Sequence, residues 1–335
     1  MARLAGVWAL ILAASAAGQG GRKVIELQLK YSDARWVVGG DSSGPLVNPN
    51  RIMASGSLVL ITDPGAPGVV ALDSRTGKEL WRYGKKGRGP GEMIQPVLAS
   101  WHPDGTVIVD NGTRRLYFIA TSGKLLEERS IPNGLFIAGI CSLRTGEVIV
   151  HYPDPVGSGL GVIRSKSRAL PKVAYPFAIG GPSMTDRALD LTSLPSAGSP
   201  KCVAARKTAN GLAVFSPTGT PKQVKYIEAL EQRKYRPAME AKDTSDLPIP
   251  FALDVSADAG KIYVYFGGST SCSFLCVDVY DAADLRYLQT YRLRGKLGVR
   301  PMDVIVANGE LVILGMRDDL PIVLSFGMPA EGSRR

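Results

Sequence analysis

A chain of 335 residues with 45% hydrophobic and 21% charged residues has an ordinary globular balance, which excludes disorder as its main content. Only two histidines occur, His102 and His151, so chemistry built on paired imidazoles has few parts to work with. The formal net charge of +10 admits anionic partners, but the densest basic group, Lys85-Lys86-Gly87-Arg88, is short and has no interleaved aromatics, so nucleic acid is not an expected partner.

Residues 1–17 read as a signal peptide. Arg3 supplies the positive charge, residues 4–14 the apolar run, and Ser15-Ala16-Ala17 the small residues of a cleavage site. The run is shorter than the ~20 residues of a spanning helix, and Gly18-Gln19-Gly20-Gly21 ends it. No cysteine follows the cleavage site to carry a lipid. The expectation is a mature chain without a transmembrane segment, secreted or periplasmic.

The mature chain opens on a strand, residues 23–29, which has no hairpin partner nearby. Beyond it, 38 glycines and 23 prolines punctuate many short β-rich runs. One unit recurs, a glycine followed by a strand: residues 56–61, 105–109, 146–150, 260–265 and 309–314, with a weaker copy at 201–205. A second and third strand follow most copies. In the first copy these are residues 69–73 and 79–83, around the turn at 74–77. Units of this kind bury both faces only when stacked radially, and six of them predict an all-β, six-bladed propeller of four-stranded blades. The blades fall at 45–85, 96–131, 135–178, 186–228, 251–293 and 301–329. The last lacks a fourth strand, so the N-terminal strand 23–29 is expected to close it and leave no open edge. The propeller thus spans 23–329, and residues 330–335 form a disordered tail. Residues 31–48 and 228–250 read as insertions, and together they mark a binding surface.

Gly84-Lys85-Lys86-Gly87-Arg88-Gly89-Pro90-Gly91-Glu92 resembles the glycine-rich element that follows a blade in bacterial six-bladed, NHL-like propellers. Val109-Asp110-Asn111-Gly112-Thr113-Arg114-Arg115-Leu116 is similar to the NHL repeat core, in which an Asp, a polar pair and an Arg join two strands. The resemblance covers residues 84–120 as motif and the whole chain as architecture. Residues 70–81 are similar to the tryptophan repeat of quinoprotein-type propellers. That likeness implies that Asp73 and Trp81 dock neighbouring blades; it implies packing, and no quinone cofactor is expected.

Several residues are candidates for chemistry. The glycine-rich loop lacks the strand–loop–helix setting of a phosphate loop and reads as a tight crossing between blades, with Glu92 tying down free amides. Six residues before the recurring glycine stand Asp254 and Asp303, and at the same offset in the first repeat stands Asn50; Asp190 lies in a near copy before the fourth. These positions fall on the innermost strands and converge on the central channel. Carboxylates and an amide oxygen suit a hard cation such as Ca²⁺, with Asp190, Asp254 and Asp303 as metal ligands. The competing expectation is that each Asp caps backbone amides at the start of its strand. Arg88, Glu92, Asp110 and Arg114, from the motif segments, complete the set of candidate ligand or channel residues. His102 sits in a turn sequence and His151 ends a strand, with no nucleophile motif beside either, so no catalytic residue is assigned. The four cysteines suggest disulfides: Cys272 with Cys276 within a hairpin, and Cys141 with Cys202 across two blades. The expected function is a monomeric, exported, non-catalytic propeller that binds a protein or a glycan, with no cofactor. The alternative is a Ca²⁺-dependent hydrolase or lactonase-like propeller.

Overall fold

A computed structural model describes residues 23–329 except 67, 133, 155–156, 165–169, 171, 174–188, 195–200, 207–210, 217–221, 225–253, 267–274 and 296. The signal-peptide segment, the C-terminal tail and the 228–250 insertion lie outside the described residues. Two strands, β1 (Val24–Gln28) and β2 (Trp36–Gly39), come before the first blade. Blade one is β3 (Arg51–Ser55), β4 (Leu58–Asp63), β5 (Gly68–Asp73) and β6 (Glu79–Tyr83). Blade two is β7 (Pro96–His102), β8 (Gly105–Asp110), β9 (Arg115–Ala120) and β10 (Leu125–Ser130). Blade three is β11 (Gly139–Ser142), β12 (Val148–Asp154) and β13 (Gly157–Ile163), with a Gly161–Lys172 bridge where a fourth strand would start. Blade four is β14 (Leu189–Leu194), β15 (Lys201–Arg206), β16 (Leu212–Phe215) and β17 (Lys222–Val224). Blade five is β18 (Asp254–Asp258), β19 (Lys261–Phe266), β20 (Leu275–Asp281) and β21 (Tyr287–Arg294), and blade six is β22 (Arg300–Ala307), β23 (Glu310–Arg317) and β24 (Leu320–Gly327).

The first strand of each blade is innermost. Each of β3, β7, β11, β14, β18 and β22 touches the next, and β22 touches β3, so the six blades form a closed ring. Blades stacked on both sides cover both faces of a middle strand, which selects an unbroken apolar run over alternation. All six residues of β4 and of β8 are accordingly buried. The outer strand β6 has only Trp81 buried, and Glu79, Leu80 and Arg82 face solvent. The apolar core is divided among the blade junctions. Leu60, Ala71 and Trp81 of blade one pack on Ile108 and Tyr117 of blade two. Trp36, Ile52 and Ile61 pack on Ile305, Val312 and Val323 across the closing junction.

Closure comes from the N-terminal segment, as the missing fourth strand predicts, but through a different strand. β2 pairs antiparallel with β24, Trp36 opposite Ser325 and Gly39 opposite Ile322. The 23–29 strand does not complete blade six. β1 instead runs parallel to β21, Val24 opposite Thr290 and Gln28 opposite Arg294, as a fifth strand on blade five. Glu26 bridges Arg292 at 2.8 Å and Arg294 at 3.0 Å, while Leu27 and Leu29 enter the core between blades five and six. A single 3-10 turn, Tyr31–Asp33, then carries the chain to β2. The 31–48 segment is therefore not wholly an insertion.

An indole decides which strand closes the ring. Trp36 donates Nε1–H to the Ser74 carbonyl at 3.1 Å and lies over Gly77, where a Cβ would come within 2.6 Å of the ring. Trp81 repeats this one blade later, donating to the Thr121 carbonyl at 2.8 Å over Gly123. Both glycines adopt the left-handed conformation, φ 69° and 85°, which suits a residue without Cβ. The tryptophan device therefore occurs twice among the described residues, and Trp36 is the copy hidden in the segment read as an insertion. A second link joins Cys141 of β11 to Cys202 of β15 in a buried disulfide between blades three and four. Cys276 is also disulfide-bonded, and Cys272 lies outside the described residues.

Candidate functional site

Every innermost strand begins on one end of the ring, here the entry face, and turns back on the other. The hairpin turns fix which residues share a level. β18 turns through Ala259-Gly260, both at positive φ (47° and 75°), and β22 through Asn308-Gly309 (54° and 75°). β3 turns through Gly56-Ser57, with positive φ at Gly56 alone (61°). A turn with two left-handed positions accepts Gly at the second, and one with a single left-handed first position requires it there. The glycine of repeat one is therefore displaced by one residue. Arg51, not Asn50, is the structural equivalent of Asp254 and Asp303. Asn50 stands just outside β3, where its Oδ1 accepts the Thr62 hydroxyl at 2.6 Å.

Arg51 lies between the two carboxylates at the channel mouth. Its Nη2 is 3.9 Å from Asp254 Oδ1 and its Nε is 3.7 Å from Asp303 Oδ2. Asp303 also accepts backbone N–H groups: Ile52 of the next blade at 2.9 Å and its own neighbour Val304 at 3.1 Å. Asp254 accepts the Val255 N–H at 2.7 Å. Deeper in the ring, side-chain oxygens satisfy the N–H groups that an innermost edge leaves unpaired. Ser256 accepts from Val306 at 3.1 Å and Ser193 from Ser142 at 2.9 Å, while Ser193 also meets Ser100 at 2.8 Å. The passage lined by Arg51, Met53, Ser100, Asp254 and Ser256 leaves about 20 Å³, room for roughly one water.

The donor set at the mouth fits a guanidinium. Asp254 and Asp303 each spend oxygen on backbone amides, and the space between them holds a positive side chain. A hard cation needs six to eight oxygens and would have to displace Arg51. Among the described residues no group of three His, Cys, Asp or Glu has metal-ligand geometry. Asp190 lies on β14 opposite Ala205, and its side chain lies outside the described residues.

The other candidates lie away from the channel, around the blade-one to blade-two crossing. Asp110 ends β8 fully buried and accepts from the N–H groups of Ile94 at 2.6 Å, Gln95 at 3.2 Å and Thr113 at 2.8 Å. Asp63, which sequence reasoning missed, ends β4 in the same way: Val47, Asn48, Gly65 and Ala66 donate to it at 2.7 to 3.1 Å. The signal was present, since both residues close an apolar run of equal length. Glu92 accepts from Gly89 N–H at 2.7 Å and pairs with Lys85 at 3.1 Å, and these two contacts hold its carboxyl below the usual range. Tyr83 lies under the same loop, where burial and then Glu128 push its hydroxyl up to about 12. Arg88 and Arg114 are exposed on this loop and the adjoining turn, and Arg114 takes a left-handed φ of 57°. Arg115, beside it, makes the structural contact, donating to the Gly89 carbonyl at 2.9 Å. His102 is buried edge-on against Phe118, and desolvation lowers its pKa. Its Nδ1 accepts the Asp104 N–H at 3.3 Å and lies 3.9 Å from the Asp104 carboxylate.

No protein-family model and no curated protein sequence matches the chain. Solved structures do. A Bacteroides fragilis protein, named as a candidate exported protein, aligns with a TM-score of 0.53 at 12% identity over 91% of this chain and 100% of its own. A member of the DUF4221 family from Bacteroides vulgatus aligns at 0.51 and 9% identity, over 87% and 96% of the two chains. The WD40 domain of Neurospora crassa Pan2 aligns at 0.51 and 11% identity, over 90% and 98%. At these identities the likeness is one of fold, and propellers carry many functions on one scaffold. Among the described residues no helix is long and apolar enough to cross a membrane.

Proposed function

We propose that the chain is an exported, non-catalytic binding scaffold that holds a protein or glycan partner on its entry face. The observation that carries this reading is the plugged mouth: Arg51 between Asp254 and Asp303, with space for roughly one water behind it. The cavity of about 20 Å³ beside Arg51 is too small for a substrate, which supports recognition at the rim. The rim offers apolar contacts, since Val47 and Phe136 on connections at that face and Met302 near the start of β22 are 61%, 52% and 43% exposed. Aromatic, Met and Arg side chains are the residues that interfaces favour.

The test places a photo-reactive residue at position 136 in the cells that make the protein, with position 126 on the outer strand β10 as control. The expected result is a discrete adduct from 136 and none from 126, reduced at least tenfold by Met302→Asp. For a glycan partner, the purified chain captures a defined set on a glycan array, and Met302→Asp loses it. Silence in both arms, or adducts equal at 126 and 136, contradicts the reading.

A further inference from the structure

Two blade junctions are sealed by an indole over a glycine, and a third is built differently. At the junction of blades four and five the left-handed turn position is Leu285, φ 59°, whose N–H donates to the Asp281 carbonyl at 2.9 Å. Gly77 makes the same bond to Asp73 at 2.9 Å. At Gly77 any Cβ would meet Trp36 at 2.6 Å, so a side chain at this position excludes an indole laid as Trp36 is. Blade four has no tryptophan to lay there: none occurs in residues 189–224. A cavity of about 120 Å³ stands at this junction. Val214, Ala282 and Leu285, which pack together between blades four and five, line it with Lys201 and Lys222. Neither lysine makes an ion pair among the described residues, and Lys222 is exposed. An apolar cavity of ~150 Å³ accommodates one benzene ring, so this one is the size of a single ring.

We propose that this slot is a binding site for a small aromatic carboxylate, with the ring against the apolar lining and the carboxylate facing the two lysine ammonium groups. Apolar enclosure with a few charged groups at the edge is the usual make-up of a small-molecule site. The slot opens on the face opposite the channel mouth, so it stands or falls apart from the partner-binding reading.

Titration calorimetry of the mature chain with 3-phenylpropionate tests it. The expected result is one site per chain with Kd on the order of 0.1 mM, as suits about a dozen heavy atoms. The neutral 3-phenylpropanamide binds at least tenfold more weakly. Lys222→Glu lowers affinity for the acid at least tenfold, and Leu285→Trp, which fills the slot, abolishes binding. Should Leu285→Trp fold poorly, the exposed Lys222→Glu change carries the test. Absence of heat with 3-phenylpropionate, equal affinity for acid and amide, or unchanged binding by Lys222→Glu overturns the proposal.

Discussion

Asp110→Ala is expected to remove on the order of 4 kcal/mol of stability, seen as a lower denaturant midpoint with an unchanged slope. Asp110 is fully buried and holds the N–H groups of Ile94, Gln95 and Thr113. Truncation leaves three part-buried donors without their acceptor. Each orphaned donor costs about 1–3 kcal/mol, and partial relaxation of the loop keeps the total below their sum. Asp110→Asn keeps one acceptor oxygen and loses the charge, so it falls between the two. A domain of this kind has about 5–15 kcal/mol in all, which makes the Ala variant marginal at 37 °C. A loss under about 1 kcal/mol would show that Asp110 does not fasten the crossing.

The double variant Cys141→Ala, Cys202→Ala is expected to lose about 4 kcal/mol. The bond spans a sequence separation of 61 residues, and the chain-entropy model puts the stabilisation from a loop of that length near this figure. Both residues are fully buried in the core between blades three and four, so alanine also leaves a small void there. Because the bond is inaccessible, reductant acts on the wild-type chain only as fast as blades three and four open. Amide exchange in β11 and β15 of the variant should therefore speed up while β4 and β8 keep more of their protection. A melting temperature equal to wild type would contradict this.

How far the sequence revealed the molecule depended on which strand was being read. The second strand of each blade is covered on both sides, so residues 58–63 and 105–110 appear as unbroken apolar runs and the six repeats are legible. β2 is four residues long, sits at the outside, and carries Trp36 as its only buried residue, so it hides in a polar segment. β1 looks like a free-standing strand, and its sequence cannot say which edge it joins. In the parallel pairing to β21, Glu26 reaches Arg292 and Arg294 while Leu27 enters the core. At the channel, Asp254 and Asp303 were legible from repeat spacing. Arg51 was not, because a glycine marks a turn without saying which of its two central positions it occupies. The motif residues were legible as a set but not as to role: Asp110 and Glu92 bind the chain's own amides, and Arg88 and Arg114 face solvent.

Ring closure by Trp36 is the claim on which the rest depends, and stepwise truncation from the N-terminus tests it most directly. Three chains, beginning at Lys23, Tyr31 and Gly40, are melted and followed by circular dichroism. The account predicts that removing β1 leaves a single cooperative transition at a lower temperature, since blade five keeps four strands of its own. Removing β2 as well opens the ring between blades six and one and abolishes the cooperative transition. Loss of the transition on removing β1 alone, or its survival after removal of Trp36 and the rest of β2, would contradict it.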